Sequence, residues 1–563
     1  MWASIPATLA DSSIYPDWTF HQVIGNAAQI GYRDNPLFAG NDFGYHWLGD
    51  SFGVAIERAS GLDLLQGISR ALYVQAVLGA AAAALSIGWA ISGRAVGAAF
   101  GGISLAFGCW AFFPTDSIFL PMSTEPSPSY AASIPIALCL IALATGREWP
   151  HVPQVSILLA LSTFLVVARV TTAAVVFGAL LIATLATDIP CRRKWINLGV
   201  VAAGAIVGLA LVGSGPSQSL AIDPNLETIR LLGLFPYTGP GSVPLGVLAL
   251  ISIGVAVLAL GITFARAQNE HSTLLFLGGA APIMGIAASC LTIQAGSSQI
   301  TFFWAGLAIA SVVMGPLALA SIGARGNARG IAVVLLAGLV IASLLKACFW
   351  LTTHFGFAGF GRWAMAIGIS AVISVCSLGL LTSWRLVPRS RRYNSRPPLA
   401  WSALLAAFIA SGIWFGIAAT AARLNEPNLL GEPSVQIDAR EVEAGRWLAE
   451  QADAGEIVAT NRQCQRPGTP EPSCFSAIFN VSALSGLIID IEGVPYAVGE
   501  SPSEEALGRV NDGALAAQGD AAALDRLSDR GVTWLWVDHR ATPKSPNNAA
   551  YTNGLVSLVR VAK

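Results

Sequence analysis

Charge is what this sequence has least of. Of its 563 residues only 12% are Asp, Glu, Lys or Arg, where soluble globular chains carry about 25%. Lysine is nearly missing, with Lys194, Lys346, Lys544 and Lys563 set against 28 arginines. No broad basic surface is available, which excludes a nucleic-acid binder, and the low polarity excludes a disordered chain. Eight cysteines in 563 residues are too few for a disulfide scaffold. The C-terminal part, 423–563, also lacks a Gly-rich phosphate loop, a Walker motif and zinc-ligand spacing.

What is present is apolar. Hydrophobic residues make up 54% of the chain and the mean hydropathy is +0.61, which points to a polytopic membrane protein. Abundant Ala and Gly with Arg in place of Lys fit a high-GC bacterial genome, hence a bacterial plasma membrane. Twelve apolar runs are long enough to be read as spans: 71–92, 95–113, 129–145, 153–168, 170–187, 195–213, 244–264, 273–293, 300–322, 331–351, 363–384 and 399–422. Arg169 separates the fourth from the fifth, so that pair reads as a tight re-entrant hairpin.

The net charge of −1 hides an asymmetry: residues 1–70 carry −4, residues 71–422 carry +10 and residues 423–563 carry −7. The bases cluster in alternate loops, at Arg94, Arg147, CRRKW (191–195), Arg266, GARGNARG (323–330) and RLVPRSRRYNSRPP (385–398). By the positive-inside rule these loops are cytoplasmic. Both acidic ends, 1–70 and 423–563, are then extracytoplasmic. MWASIPATLADSSI has no basic n-region or apolar h-region, so this topology predicts a further apolar helix upstream of Met1.

The two ends differ in pattern. The N-terminal segment predicts a helix over 17–31, with Trp18, Val23 and Ile24 as apolar contacts, and a second over 46–60. Asp17 and His21 are four apart, as are His46 and Asp50, so each pair shares a helix face. The C-terminal part predicts a small α/β domain. Helices are expected at 438–453, near 475–485 and over 502–530, and strands at 456–460, 487–491, 532–538 and 555–562. Cys464 and Cys474, ten apart in a Pro-rich loop, are a disulfide if that loop is extracytoplasmic and two thiols otherwise.

Two stretches resemble a known family. PDWTFH…NPLFAGNDFGYHW looks like the first extracytoplasmic loop of uncharacterised bacterial members of the GT-C superfamily of membrane glycosyltransferases. VEAGRWLAEQADAGEIVATNR…ALSGLIIDIEG…VTWLWVD looks like the soluble domain after the last span in those proteins. The resemblance implies a fold of many spans, similar to the protein O-mannosyltransferases, with a polyprenyl-phosphate sugar as donor. It implies a hexosyl- or pentosyltransferase with an essential acid in its first loop. The acceptor would be a glycan or a protein.

An inverting transfer needs a base for the acceptor hydroxyl and cations for the departing lipid phosphate. Asp17 is the first candidate for the base, with His21 tuning it; N-capping of the first helix is the other reading of Asp17. Asp42, Tyr45, His46, Trp47, Asp50 and Glu125 are candidates for substrate binding. For Tyr45 and Trp47 the alternative is interfacial anchoring. Asp17, His21, Asp42, His46 and Asp50 could instead hold a divalent metal; no other cofactor is implied. Arg169, Lys346, Arg362 and Arg230 are candidates for the lipid phosphate, with snorkelling to headgroups as the alternative. A transporter or flippase is the competing class, without an inverted repeat to support it. A catalytically inactive GT-C-like binding or assembly subunit is the third reading.

Overall fold

The computed structural model describes residues 16–32, 34–41, 47–93, 95–107, 128–145, 152–186, 192–212, 221–222, 272–293, 300–322, 336–344, 437–463, 478–494, 502–542 and 548–561, with 347, 407, 410, 411, 413, 414, 417 and 497 as single positions. The chain is a mostly helical membrane protein with a small C-terminal sheet domain. The apolar runs at 244–264, 363–384 and most of 331–351 and 399–422 lie outside the described residues.

Two helices open the chain, α1 (Pro16–Ile30) and α2 (Leu48–Ser60). Pro16 suits the first helical position because its fixed φ is already helical and it lacks only an orphan donor. α2 stops at Gly61, whose φ of 69° lets its N–H return to the Glu57 carbonyl. A short turn, Leu64–Gln66, and a π-helical segment, Gly67–Ala71, lead into the bundle.

Among the described residues eight bundle helices follow: α3 (Leu72–Ser92), α4 (Ala95–Phe107), α5 (Pro128–Thr145), α6 (Val152–Ala168), α7 (Val170–Ala186), α8 (Arg192–Val212), α9 (Ser272–Leu291) and α10 (Ile300–Ile322). Small residues let them approach closely, as lipid-embedded helices do when no hydrophobic effect drives them together. A Cβ on Gly101 of α4 would lie 2.4 Å from the Ala84 carbonyl oxygen, and one on Gly306 of α10 would lie 2.5 Å from that of Ala281. Gly204 against Ser162, and Gly208 against Val166, set α8 parallel to α6. Only residues 187–191 join α7 to α8, so α7 must run back between them. The chain therefore reverses at Arg169, whose N–H closes α6 on Leu165 (2.8 Å) and whose carbonyl opens α7 on Ala173 (3.1 Å).

These directions define two ends. The head end holds the starts of α5, α7 and α10, tied by Ser129, Arg169, Thr171 and Thr301. At the other end α8 opens on Arg192, Arg193 and Lys194, beside the end of α5, whose Ala144 carbonyl accepts from Asn197.

The C-terminal domain builds a five-stranded sheet from β1 (Ile457–Thr460), β2 (Ile488–Ile489), β3 (Val532–Asp538), β4 (Tyr551–Thr552) and β5 (Val556–Arg560), in the order β2-β1-β3-β5-β4. β1 pairs in parallel with β2 and β3; β5 pairs antiparallel with β3 and β4. One face packs on α11 (Ala439–Gln451) and α12 (Asn480–Ser485), through Leu448, Val481 and Trp536. The other packs on α13 (Glu504–Ala517) and α14 (Ala521–Asp529), through Ala516, Leu527 and Val537. α11 starts in a capping box, Asp438 to the Arg440 N–H and Glu441 back to the Asp438 N–H.

The two polar ends, separate in sequence, share one core. Phe20, Val23, Ile24, Leu37 and Phe38 cluster with Phe479, Ile491, Val494 and Val510. The turns at 36–39 dock on β2 and the residues after it: Ile489 donates to Pro36 O (3.0 Å), Ala39 to Ile489 O (3.1 Å) and Glu492 to Leu37 O (3.0 Å). That covers the exposed edge of the sheet.

Candidate functional site

The N-terminal segment brings an acid and a histidine together across two helices. His21 Nδ1 of α1 lies 2.9 Å from Asp50 Oδ1 of α2, and both side chains are buried, at 3% and 0% exposure. Burial raises the Asp50 carboxyl above the ordinary range, against the pull of His21. Its other oxygen, Oδ2, is buried and has no hydrogen-bond partner among the described residues. A carboxylate in such surroundings needs a proton or a cation nearby to offset its desolvation. Phe20 stands edge-on to the His21 ring at 5.5 Å, and Phe20 in turn meets Phe479 of the C-terminal domain.

Residue 49, beside Asp50, joins the loop to the bundle. A Cβ on Gly49 would lie 2.7 Å from the Pro128 carbonyl carbon and 2.8 Å from the Ser129 nitrogen, so only glycine lets α2 rest on the start of α5. The Ser129 hydroxyl accepts from Arg169 Nη1 (3.2 Å), and Arg169 Nε donates to Thr171 Oγ1 (3.3 Å). Thr171 meets Thr301 at 2.9 Å. The guanidinium lies over the Tyr130 ring, 5.5 Å from its centre, and Tyr130 meets Trp304 edge-on. Arg169 is 4% exposed. A buried guanidinium among hydroxyls and aromatic rings at a helix break is costly to keep in an apolar bundle, and such groups mark functional sites.

The predicted site residues distribute as follows. His21 and Asp50 meet each other across two helices; the pairing of Asp50 with His46 that the spacing suggests lies outside the described residues. α1 begins at Pro16, so Asp17 stands within its first turn rather than at its cap, one turn ahead of His21. Trp47 precedes α2 and is 40% exposed. Asp42, Tyr45, His46, Glu125, Arg230, Lys346, Arg362, Cys464 and Cys474 lie outside the described residues. Among the described residues no three His, Cys, Asp or Glu side chains form a metal-binding group. Ser129, Tyr130, Thr171 and Thr301 escape sequence reasoning because neutral side chains at helix starts carry no signal of their own. Arg169 between two apolar runs was the one pointer to them.

A second buried acid supports the site from the C-terminal domain. Glu492 accepts from the N–H groups of Val481 and Ser482 (2.9 and 3.0 Å) and from the Ser482 hydroxyl (2.7 Å). Its burial pushes the carboxyl up to about 7. α12, which it holds, receives Asn26 of α1 at the carbonyls of Ser482 and Ala483.

No family model matches the chain, and neither does any curated protein. Among solved structures it is similar to ArnT from Cupriavidus metallidurans in the apo state, at 12% identity and a TM-score of 0.47, over 99% of this chain and 95% of that one. For ArnT bound to undecaprenyl phosphate the values are 12% and 0.45, with the same coverage. The archaeal oligosaccharyltransferase AglB from Archaeoglobus fulgidus, in complex with an inhibitory peptide and a dolichol-phosphate, is 12% identical with a TM-score of 0.34, over 95% of this chain and 67% of that one.

Proposed function

We propose that the chain is a GT-C-type glycosyltransferase that takes a sugar from a polyprenyl-phosphate donor outside the cytoplasm. One observation carries this reading. Ser129 touches the first loop through Gly49 and accepts from Arg169 through its hydroxyl, so an acidic loop and a buried cation adjoin at one end of a membrane bundle. The first-loop resemblance supplies the rest.

In this reading Arg169 binds the lipid phosphate and stabilises the negative charge that grows on it. The acceptor oxygen attacks the anomeric carbon from the face opposite the phosphate. The bond from that carbon to the phosphate oxygen breaks, its electron pair leaves with the polyprenyl phosphate, and the configuration inverts. The acceptor proton goes to Asp17, and His21, one turn along α1, tunes that base. Lys346, Arg362 and Arg230 remain further candidates for the phosphate. Asp42, Tyr45, His46, Trp47 and Glu125 remain candidates for the sugar or acceptor.

Sidedness follows the charges. Arg192, Arg193 and Lys194 open α8 at the end away from the first loop, and a basic end is cytoplasmic by the positive-inside rule. The head end, with the first loop and the C-terminal domain, is then extracytoplasmic in the bacterial plasma membrane.

The test is sugar transfer in membranes holding the full chain, supplied with labelled polyprenyl-phosphate hexoses and pentoses. Asp17→Asn and Arg169→Gln are each expected to abolish transfer while the protein stays folded. Unchanged transfer in Asp17→Asn removes it as the base.

A further inference from the structure

Two arms from one face of α10 converge on the Arg169 guanidinium. Thr301 and Trp304 are three residues apart on that helix, so they share a face. Thr301 meets Thr171 at 2.9 Å, and Thr171 Oγ1 accepts from Arg169 Nε at 3.3 Å. Trp304 stands edge-on to Tyr130, ring centres 6.4 Å apart. The guanidinium carbon of Arg169 lies over the Tyr130 ring, 5.5 Å from its centre. Ser129, next to Tyr130 on α5, accepts from Nη1 at 3.2 Å. Tyr130 and Trp304 are 1% and 6% exposed, so the attraction between ring and cation is little weakened by water.

The arms constrain different things. Thr171 and Ser129 hold two corners of the guanidinium fork, and bonds to neutral hydroxyls leave its charge intact. A ring face attracts a cation through its quadrupole. It therefore fixes the remaining freedom, the lie of the guanidinium plane, again without cancelling charge. Arg suits this arrangement better than Lys, because a planar fork can lie over a ring and reach two hydroxyls at once. We propose that Tyr130 is a positioning residue: its ring, braced by Trp304, holds the Arg169 guanidinium where the lipid phosphate is received. This rests on the reading in which Arg169 binds that phosphate. Tyr130 acts through Arg169 and not on the lipid, and what it contributes is an electron-rich ring face rather than its hydroxyl.

The test replaces Tyr130 in the full chain by Phe, and by Phe carrying one, two or three ring fluorines. Fluorine withdraws electron density from the ring face and hardly changes the ring's volume. Each protein is titrated with a polyprenyl phosphate in nanodiscs, beside the parent and Arg169→Gln, and bound lipid is counted by native mass spectrometry. Tyr130→Phe is expected to bind within about twofold of the parent. Binding should then weaken stepwise with fluorine, to about tenfold at three (about 1.4 kcal/mol), at a constant thermal midpoint. Weakened binding in Arg169→Gln with a flat fluorine series would overturn the positioning role and leave the phosphate site standing. Unchanged binding in Arg169→Gln would overturn the reading beneath the proposal, and the proposal with it. A full loss already in Tyr130→Phe would overturn it in favour of the hydroxyl. A thermal midpoint that falls in step with binding would overturn it in favour of packing alone.

Discussion

The backbone N–H of Glu492 donates to the Leu37 carbonyl at 3.0 Å, joining the C-terminal domain to the N-terminal segment beside the buried carboxyl that holds α12. The N-terminal segment therefore has two supports, the sheet edge above it and the start of α5 below it.

Glu492 makes the upper support sensitive to pH. Its carboxyl is raised in the folded chain from an ordinary 4.5 to about 7, so the folded state binds its proton more tightly than the unfolded one. Its contribution to stability is then complete below about pH 4.5 and is lost as pH rises towards 7, a change on the order of 3 kcal/mol. The thermal midpoint of the full chain is expected to fall over that window, and Glu492→Gln to flatten the fall. An equally steep fall in Glu492→Gln would assign it to other groups.

Phe479 joins the two ends through its contact with Phe20, ring centres 5.3 Å apart. Phe479→Ala is expected to cost about 3–5 kcal/mol, as buried Phe truncations do. It should also speed hydrogen exchange across residues 16–30. Loss of stability with unchanged exchange in that segment would mean that α1 does not depend on the domain.

His21 and Asp50 form a buried pair, so removing one partner leaves the other uncompensated. His21→Ala is expected to destabilise by about 3–5 kcal/mol, and the double variant with Asp50→Ala by much less than the two single losses added. A double-mutant cycle measures this directly; strict additivity would show that the pair does not interact energetically.

Gly49 sets the lower support. Gly49→Val has no room beside Pro128 and Ser129, and overpacking of this kind costs about 1–3 kcal/mol. A lowered thermal midpoint together with reduced transfer is expected. A variant that is stable yet inactive would locate the effect in the site rather than in the fold.

Much of the bundle was legible because hydropathy alone dictates it. The run read at 71–92 forms α3 at Leu72–Ser92, and that read at 300–322 forms α10. VTWLWVD is β3 because a short β-branched and aromatic run is suited to a buried strand. The shared core was not legible: no local pattern connects Leu37 with Glu492, and the turns at 36–39 show nothing in sequence of the open edge of β2 on which they dock. Spacing pairs Asp50 with His46, which lies outside the described residues, and tertiary packing adds His21 from the other helix. Arg169 was legible because a charge between apolar runs is costly wherever it lies, whereas its partners Ser129 and Thr171 are ordinary helix-start residues until the bundle assembles.

In the proposed function the polar cluster around Arg169 receives a lipid phosphate. It is tested most directly by titrating a polyprenyl phosphate into the purified chain in nanodiscs and counting bound lipid by native mass spectrometry, for the parent chain and for Arg169→Gln. The expected result is one specifically bound lipid phosphate in the parent, lost or at least tenfold weaker in Arg169→Gln (about 1.4 kcal/mol or more), with the thermal midpoint retained. Equal binding by both proteins would contradict the assignment of Arg169 and of the head end as the donor site.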